Sequence, residues 1–209
     1  MSKQFEALLS RVKAIEEARR ARRYAQMYTL AMSIVQELRD ENTDEIWRIR
    51  SRITYELHMA RYQLAMESDP PNQEFLRESM AIAGISAEEA RRGHDPAGAL
   101  HAEMNISGLL MPALGRWAEG MMRSRLVGLR ADAFATESAD ESERSRLLKV
   151  AMNTYFHRIR ITMEHGLKAS NVEELLEQLD KNLVYQQLRN ETWAIEAIEK
   201  ARAYVASTS

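Results

Sequence analysis

The chain has no cysteine among its 209 residues, so disulfides, thiolate nucleophiles and cysteine-ligated zinc or iron–sulfur centres are excluded outright. Glycine and proline are scarce, at eight and four. The glycines stand singly, which leaves no phosphate-cradling loop and no Gly-x-Ser-x-Gly elbow for a serine nucleophile. Neither sign of charge prevails: 29 Lys and Arg face 31 Asp and Glu, for a formal net charge of −2. Without a basic excess, neither nucleic acid nor an anionic membrane is expected as a partner. No apolar run reaches the roughly 20 residues of a membrane span. The stretch from Met1 to Leu9 meets Arg11 and Lys13 too soon to serve as a secretory leader. A cytoplasmic protein is expected. Alternating β-branched runs are missing as well, which excludes half-buried strands.

What is present is apolar spacing at helical period almost everywhere, with nearly half the residues apolar (45%) and so enough for a substantial core. The fold is expected to be all-α. Asn42 or Thr43 can cap a helix with Asp44 and Glu45 in its first turn, where carboxylates meet the positive end of the dipole. That helix runs to about Ser68, and Pro70 and Pro71 end it and introduce the next. From Asn72 to Arg92 the pattern fits one helix weakened at Gly84, or two, the second started by the capping box Ser86 to Glu89. Gly93 suits a helix terminus, and Asp95-Pro96 supplies a cap followed by proline at the first helical position. Ser138 and Asn171, each with Glu three residues on, repeat the capping signature. The first forty residues are read as two helices broken near Arg20 to Arg23, because Arg22-Arg23-Tyr24-Ala25 parallels Gly115-Arg116-Trp117-Ala118. The sum is about nine helices with short loops, which makes sequential neighbours antiparallel. No linker interrupts them, so residues 1–209 are expected to form a single domain.

The stretch 96–130 carries the most specific pattern: a proline-started helix, a turn at Gly115 and a second helix from Trp117. It resembles a tetratricopeptide repeat, a helix–turn–helix unit of about 34 residues. Gly108 and Gly120 fall on the family's small positions, Gly115 on its turn glycine and Trp117 on the aromatic that follows, while Ser107 and Met111 depart from the pattern. A second, partial match places Asn182, Tyr185, Ala194, Ile198 and Ala201 on repeat positions. The resemblance implies stacked antiparallel hairpins forming an α-α superhelix, and a non-enzymatic adaptor whose concave groove binds a peptide or partner helix. It places Asn105 in that groove. By looser analogy Arg48, Arg52 and Tyr55 on the third helix, and Asn153 and His157 on the seventh, face the same hollow. Arg48 and Arg52, as i,i+4 neighbours, would offer adjacent forks to a carboxylate; the alternative is a solvated face paired with Asp44, Glu45 or Glu56.

Chemistry finds little footing. None of His58, His94, His101, His157 and His165 has an acidic residue three positions earlier, and no His-Glu-x-x-His occurs, so no metal site, no cofactor and no catalytic set is expected. Twelve methionines, Met121-Met122 among them, read as core filling ahead of an adaptable groove. Trp47, Trp117 and Trp193, each near a helix start, are expected to pin hairpin packing. Two other functions stay open. One is self-assembly through the amphipathic helices near 43–68 and 139–168, burying Tyr155 and Ile159 between copies. The other is small-molecule sensing in a cavity near His157.

Overall fold

The computed structural model describes residues 3–208, whose regular structure is helical with no strand among them. Contacts sort the chain into two compact units, Met1–Ile106 and Ser107–Ser209. The first unit holds α1 (Lys3–Arg20), α2 (Tyr24–Glu37), α3 (Asp44–Met66), α4 (Gln73–Arg92) and α5 (Pro96–Asn105). The second holds α6 (Trp117–Glu137), α7 (Glu141–Glu164), α8 (Ala169–Lys181), α9 (Leu183–Leu188) and α10 (Thr192–Thr208). The helix of α5 continues through a π-helical stretch, Ile106–Leu110, into a last turn, Met111–Ala113. With 96–113 counted as one helix, the described residues form ten helices, one more than expected. The units divide inside this rod, which is why no linker composition marks the division.

The turns follow one chemistry. At four helix ends an N–H reaches back five residues and a left-handed residue precedes it: Arg23 to Ala18 after Arg22 (φ 54), Asp95 to Ala90 after His94 (φ 53), Arg116 to Met111 after Gly115 (φ 75), and Leu167 to Thr162 after Gly166 (φ 60). This is the Schellman closure, which satisfies carbonyls at a helix end. The break at Arg20 to Arg23 and its likeness to the Gly115 turn are therefore present in the backbone. At the end of α4 the left-handed residue is His94. Gly93 is needed for space, since a Cβ there would lie 2.9 Å from the Arg48 backbone nitrogen.

Caps fall partly where expected. Thr43, Asn72 and Asp95 accept from backbone N–H groups at the starts of α3, α4 and α5. Ser86 does not cap: α4 is a single helix, and the Ser86 hydroxyl donates to the Ser51 carbonyl at 2.8 Å, as Ser79 does to His58. Ser138 yields its place to Asp140, which accepts from the Ser142 and Glu143 amides. Asn171 lies inside α8, whose N-cap is Lys168. The helix expected to start at Asn171 breaks at buried Asn182, which caps α9 with its carbonyl oxygen while its amide nitrogen donates to the Leu148 carbonyl at 2.9 Å. That break interrupts the first helix of the second repeat match and supplies the extra helix.

In the first unit α1, α2 and α3 enclose Ile15, Met27, Ile34, Ile53 and Leu57. Several buried residues of α3 and α4 are small, with Ala60, Ala83, Ala87 and Ala90 beside the two serine hydroxyls, and the backbones come close enough for side chain-to-carbonyl bonds. Gly84 has no atom within 4 Å of where a Cβ would stand. Gly84→Ala is therefore expected to raise stability by about 0.5–1 kcal/mol, the helix cost of glycine. Urea denaturation checks this, and a lower midpoint would show that the position is not open.

In the second unit α6 turns Gly120, Ser124, Gly128, Ala131 and Ala135 inward. A Cβ at Gly128 would stand 2.6 Å from Thr154 Oγ1 on α7, and one at Gly120 would stand 2.5 Å from the Ser107 carbonyl oxygen. Pro112, lacking an N–H, cannot bond the Gly108 carbonyl four residues back. Arg160 of α7 takes that carbonyl at 2.7 Å, so the π-helical stretch and the proline after it have a polar partner on α7. No helix among the described residues is long and apolar enough to cross a membrane.

Candidate interaction surfaces

Four of the residues placed in the groove by sequence lie in the first unit. Arg48 donates Nε–H to the Gly93 carbonyl at 2.6 Å, and Arg52, 70% exposed, pairs with Glu16 of α1 at 3.2 Å. The two guanidiniums thus serve a helix terminus and an interhelical ion pair, and neither pairs with Asp44, Glu45 or Glu56. Tyr55 and Asn105 do come together. The Asn105 amide donates to the Tyr55 hydroxyl at 3.2 Å and reaches His58 Nε2 at 3.4 Å, while the Tyr55 hydroxyl lies 3.3 Å from His101 Nε2. Tyr55 stands edge-on to His58 and tilted against His101, with ring centroids 5.0 and 4.7 Å apart.

Neither His58 nor His101 follows from a metal-ligand search, yet both complete this chain of hydrogen bonds between α3 and α5. His58 is fully buried. Burial, and next the charge of His101, lowers its pKa to about 3. The unfolded chain titrates near 6.5, so between the two values it binds a proton that the folded chain does not. Stability is then fully present above pH 6.5 and is lost toward pH 3. His58 is expected to contribute a slope of up to about 1.4 kcal/mol per pH unit in that window. Urea denaturation at pH 7 and pH 5 checks this, and an unchanged slope in His58→Gln would remove the assignment.

Asn153 and His157 belong to the second unit, both half-buried on α7. His157 packs on Gly108: a Cβ there would fall 1.9 Å from His157 Nδ1. Tyr155 and Ile159, the residues expected to be buried between copies, are already buried within this unit. The Tyr155 hydroxyl donates to the Asp132 carboxylate of α6. Burial raises the pKa of Asp132, against the lowering effect of that bond.

Between α3 and α4 lies an open cleft of about 370 Å³ lined by Trp47, Arg50, Gly84, Ile85, Glu88 and Arg92. Trp47 is half-buried, with the Arg50 and Arg92 guanidiniums 4.4 and 5.0 Å from its ring. Arg50 in turn pairs with buried Glu89 at 2.8 Å, and Glu89 accepts from Thr54 at 2.7 Å. Trp117 stacks on His165 at 4.4 Å, and Trp193, 46% exposed, meets Phe156 edge-on.

On α6, Met122, Leu126 and Leu129 are 62%, 56% and 58% exposed. Their steps of four and three put them on one stripe, which exposed Ala133 extends. The helix is inverted relative to an ordinary surface helix, with glycine, serine, alanine and Val127 inward and Met122, Leu126 and Leu129 outward. Met122 is thus a surface residue, contrary to the core role expected for it. Sequence reasoning missed this stripe because α6 is apolar on both faces. The available signal was that a helix with two apolar faces has two surfaces to cover.

The chain matches no family model, and neither a curated protein nor a solved structure is significantly similar to it.

Proposed function

We propose that the chain is a non-enzymatic protein-interaction module that engages a partner helix, with the outward face of α6 as its contact surface. One observation carries this reading: three large apolar side chains, each more than half exposed, follow one another on a single rigid helix. Isolated exposed apolar residues are ordinary, but a contiguous apolar stripe on a protein surface marks an interaction site. The Gly115 turn and the close seat of Gly120 on the Ser107 carbonyl support a hairpin of the tetratricopeptide kind as the scaffold that holds α6. Of the groove-facing residues inferred from that resemblance, Tyr55 and Asn105 bond to each other, Arg48 bonds to the Gly93 carbonyl and exposed Arg52 pairs with Glu16, so we place the contact surface on α6.

Leu126→Glu tests the reading. The side chain is exposed, so the substitution is expected to alter stability by no more than about 0.5 kcal/mol, while association with partners from the native cell is lost. A variant that keeps the same partners at the same recovery would overturn the assignment of α6.

A further inference from the structure

We infer that the seam between α6 and α7 carries an oxyanion site, in which the guanidiniums of Arg125 and Arg158 and the hydroxyl of Ser124 take the oxygens of a phosphate or carboxylate group. The inference lies within the second unit and is independent of the apolar stripe. Residues 138–140 join the two helices, a connection short enough to make them antiparallel. Their register follows from one close contact. A Cβ at Gly128 would stand 2.6 Å from Thr154 Oγ1 and 3.9 Å from the Tyr155 ring. One turn toward the start of α6 and one turn toward the end of α7, Ser124 and Arg125 therefore fall opposite Arg158.

Arg158 stands where an apolar residue belongs. Leu147, Ala151, Thr154, Arg158 and Ile161 follow one another at steps of four, three, four and three, which is a single line along α7. The other four members of that line are buried. A guanidinium drawn into such a line needs acceptors for its N–H groups. Arg158 is half-buried, and its Nε is shielded from water without a hydrogen-bond partner among the described residues. The same holds for the hydroxyl of fully buried Ser124 on the facing helix.

The neighbouring charges leave the position positive. Burial, and next the charge of Arg125, lowers the pKa of Arg158, while Glu174 of α8 and then Tyr155 act the other way. Exposed Glu174 forms no ion pair with either arginine among the described residues, and the Tyr155 hydroxyl is turned to Asp132. Arg123 and Arg160 stand apart from the site, the first paired with Glu119 at 3.0 Å and the second donating to the Gly108 carbonyl. Two like charges on facing helices, one of them drawn from water, oppose folding. An oxyanion between them reverses that sign, because guanidinium forks match the oxygens of phosphate or carboxylate and a serine hydroxyl donates one bond more.

The test is isothermal titration calorimetry of the full chain with sodium phosphate and, separately, sodium acetate, at an ionic strength held constant with chloride. Saturable binding of at least one of the two is expected, and the tighter one identifies the group that the site takes. Arg125→Gln is expected to weaken that binding at least about tenfold, the loss of one charge-assisted contact, and Arg158→Leu to abolish it. Glu174→Gln, which removes the competing negative charge, is expected to tighten binding by about two- to fivefold. Leucine continues the apolar line of α7, so Arg158→Leu is expected to keep or raise the urea midpoint, whereas a lowered midpoint would make Arg158 a structural residue and overturn its assignment. Should Arg158→Leu fail to fold, the exposed positions 125 and 174 still decide: opposite shifts in affinity support the site, and shifts of one sign or none overturn it. Heats from both anions no different from those of chloride would also overturn it.

Discussion

Glu89→Ala is expected to cost the first unit about 3–5 kcal/mol, the usual penalty for breaking a buried ion pair from one side. Glu89 and Arg50 have side chains only 4% and 12% exposed and meet at 2.8 Å. Glu89 also accepts from Thr54, and Arg50 donates to the Leu38 and Arg39 carbonyls beyond the end of α2. Removing the carboxylate leaves a largely buried guanidinium without its counter-ion, with the Leu38 and Arg39 carbonyls as its remaining acceptors. The double variant Arg50→Met/Glu89→Leu is expected to cost less than Glu89→Ala alone, because no charge remains buried. Arg52→Ala, which breaks the exposed pair with Glu16, is expected to cost less than about 1 kcal/mol. Urea denaturation of the three variants checks the order. Equal costs for Glu89→Ala and Arg52→Ala would contradict the burial of the Arg50 pair.

Gly120→Ala is expected to destabilise the second unit by about 1–3 kcal/mol net, the range for overpacking a close contact. Alanine gains about 1 kcal/mol of helix propensity over glycine, so the sign depends on the contact. A Cβ at Gly120 would stand 2.5 Å from the Ser107 carbonyl oxygen and 3.2 Å from Pro112 Cδ. The first is a backbone atom that cannot rotate away, so overpacking wins. Gly84→Ala is the same substitution in an interior helix turn with open space, and there propensity wins. Opposite shifts in the denaturation midpoints of the two variants are the expected result, and a stabilised Gly120→Ala would show that α6 is not seated against the Ser107 carbonyl.

Much of the fold is legible in the sequence, because local rules act on residues within a turn of each other. The break between α1 and α2, the caps at Thr43, Asn72 and Asp95, and the turn at Gly115 each depend on nearby residues alone. Errors arise where a tertiary partner competes with the local one. Ser86 shows a capping-box pattern, but its hydroxyl is taken by the Ser51 carbonyl of α3. Ser138 is displaced by an aspartate two residues on. The division into two units leaves no trace in composition because it falls inside a helical rod.

The site divides in the same way. Tyr55 and Asn105 meet, with Asn105 buried inside the first unit, and their partners His58 and His101 carry no motif, since a buried hydrogen-bond chain has no fixed sequence spacing. Arg48 and Arg52 carry the right charge and periodicity, yet which carbonyl or carboxylate they find is set by α4 and α1. On α6 the decisive fact is which of two apolar faces turns inward. Gly120 and Gly128 settle it, because only faces without a Cβ at those positions can approach Ser107 and Thr154 so closely.

The central claim is that the outward stripe of α6 is where another protein sits. Site-specific photocrosslinking in the native cell tests it most directly, with a photoreactive residue at Leu126 in one variant and at exposed Glu173 of α8 in another. The account predicts a discrete heteromeric adduct from position 126 that is absent from position 173 and disappears when Leu129→Ser is added. Equal adducts from both positions, or none from position 126, would contradict it.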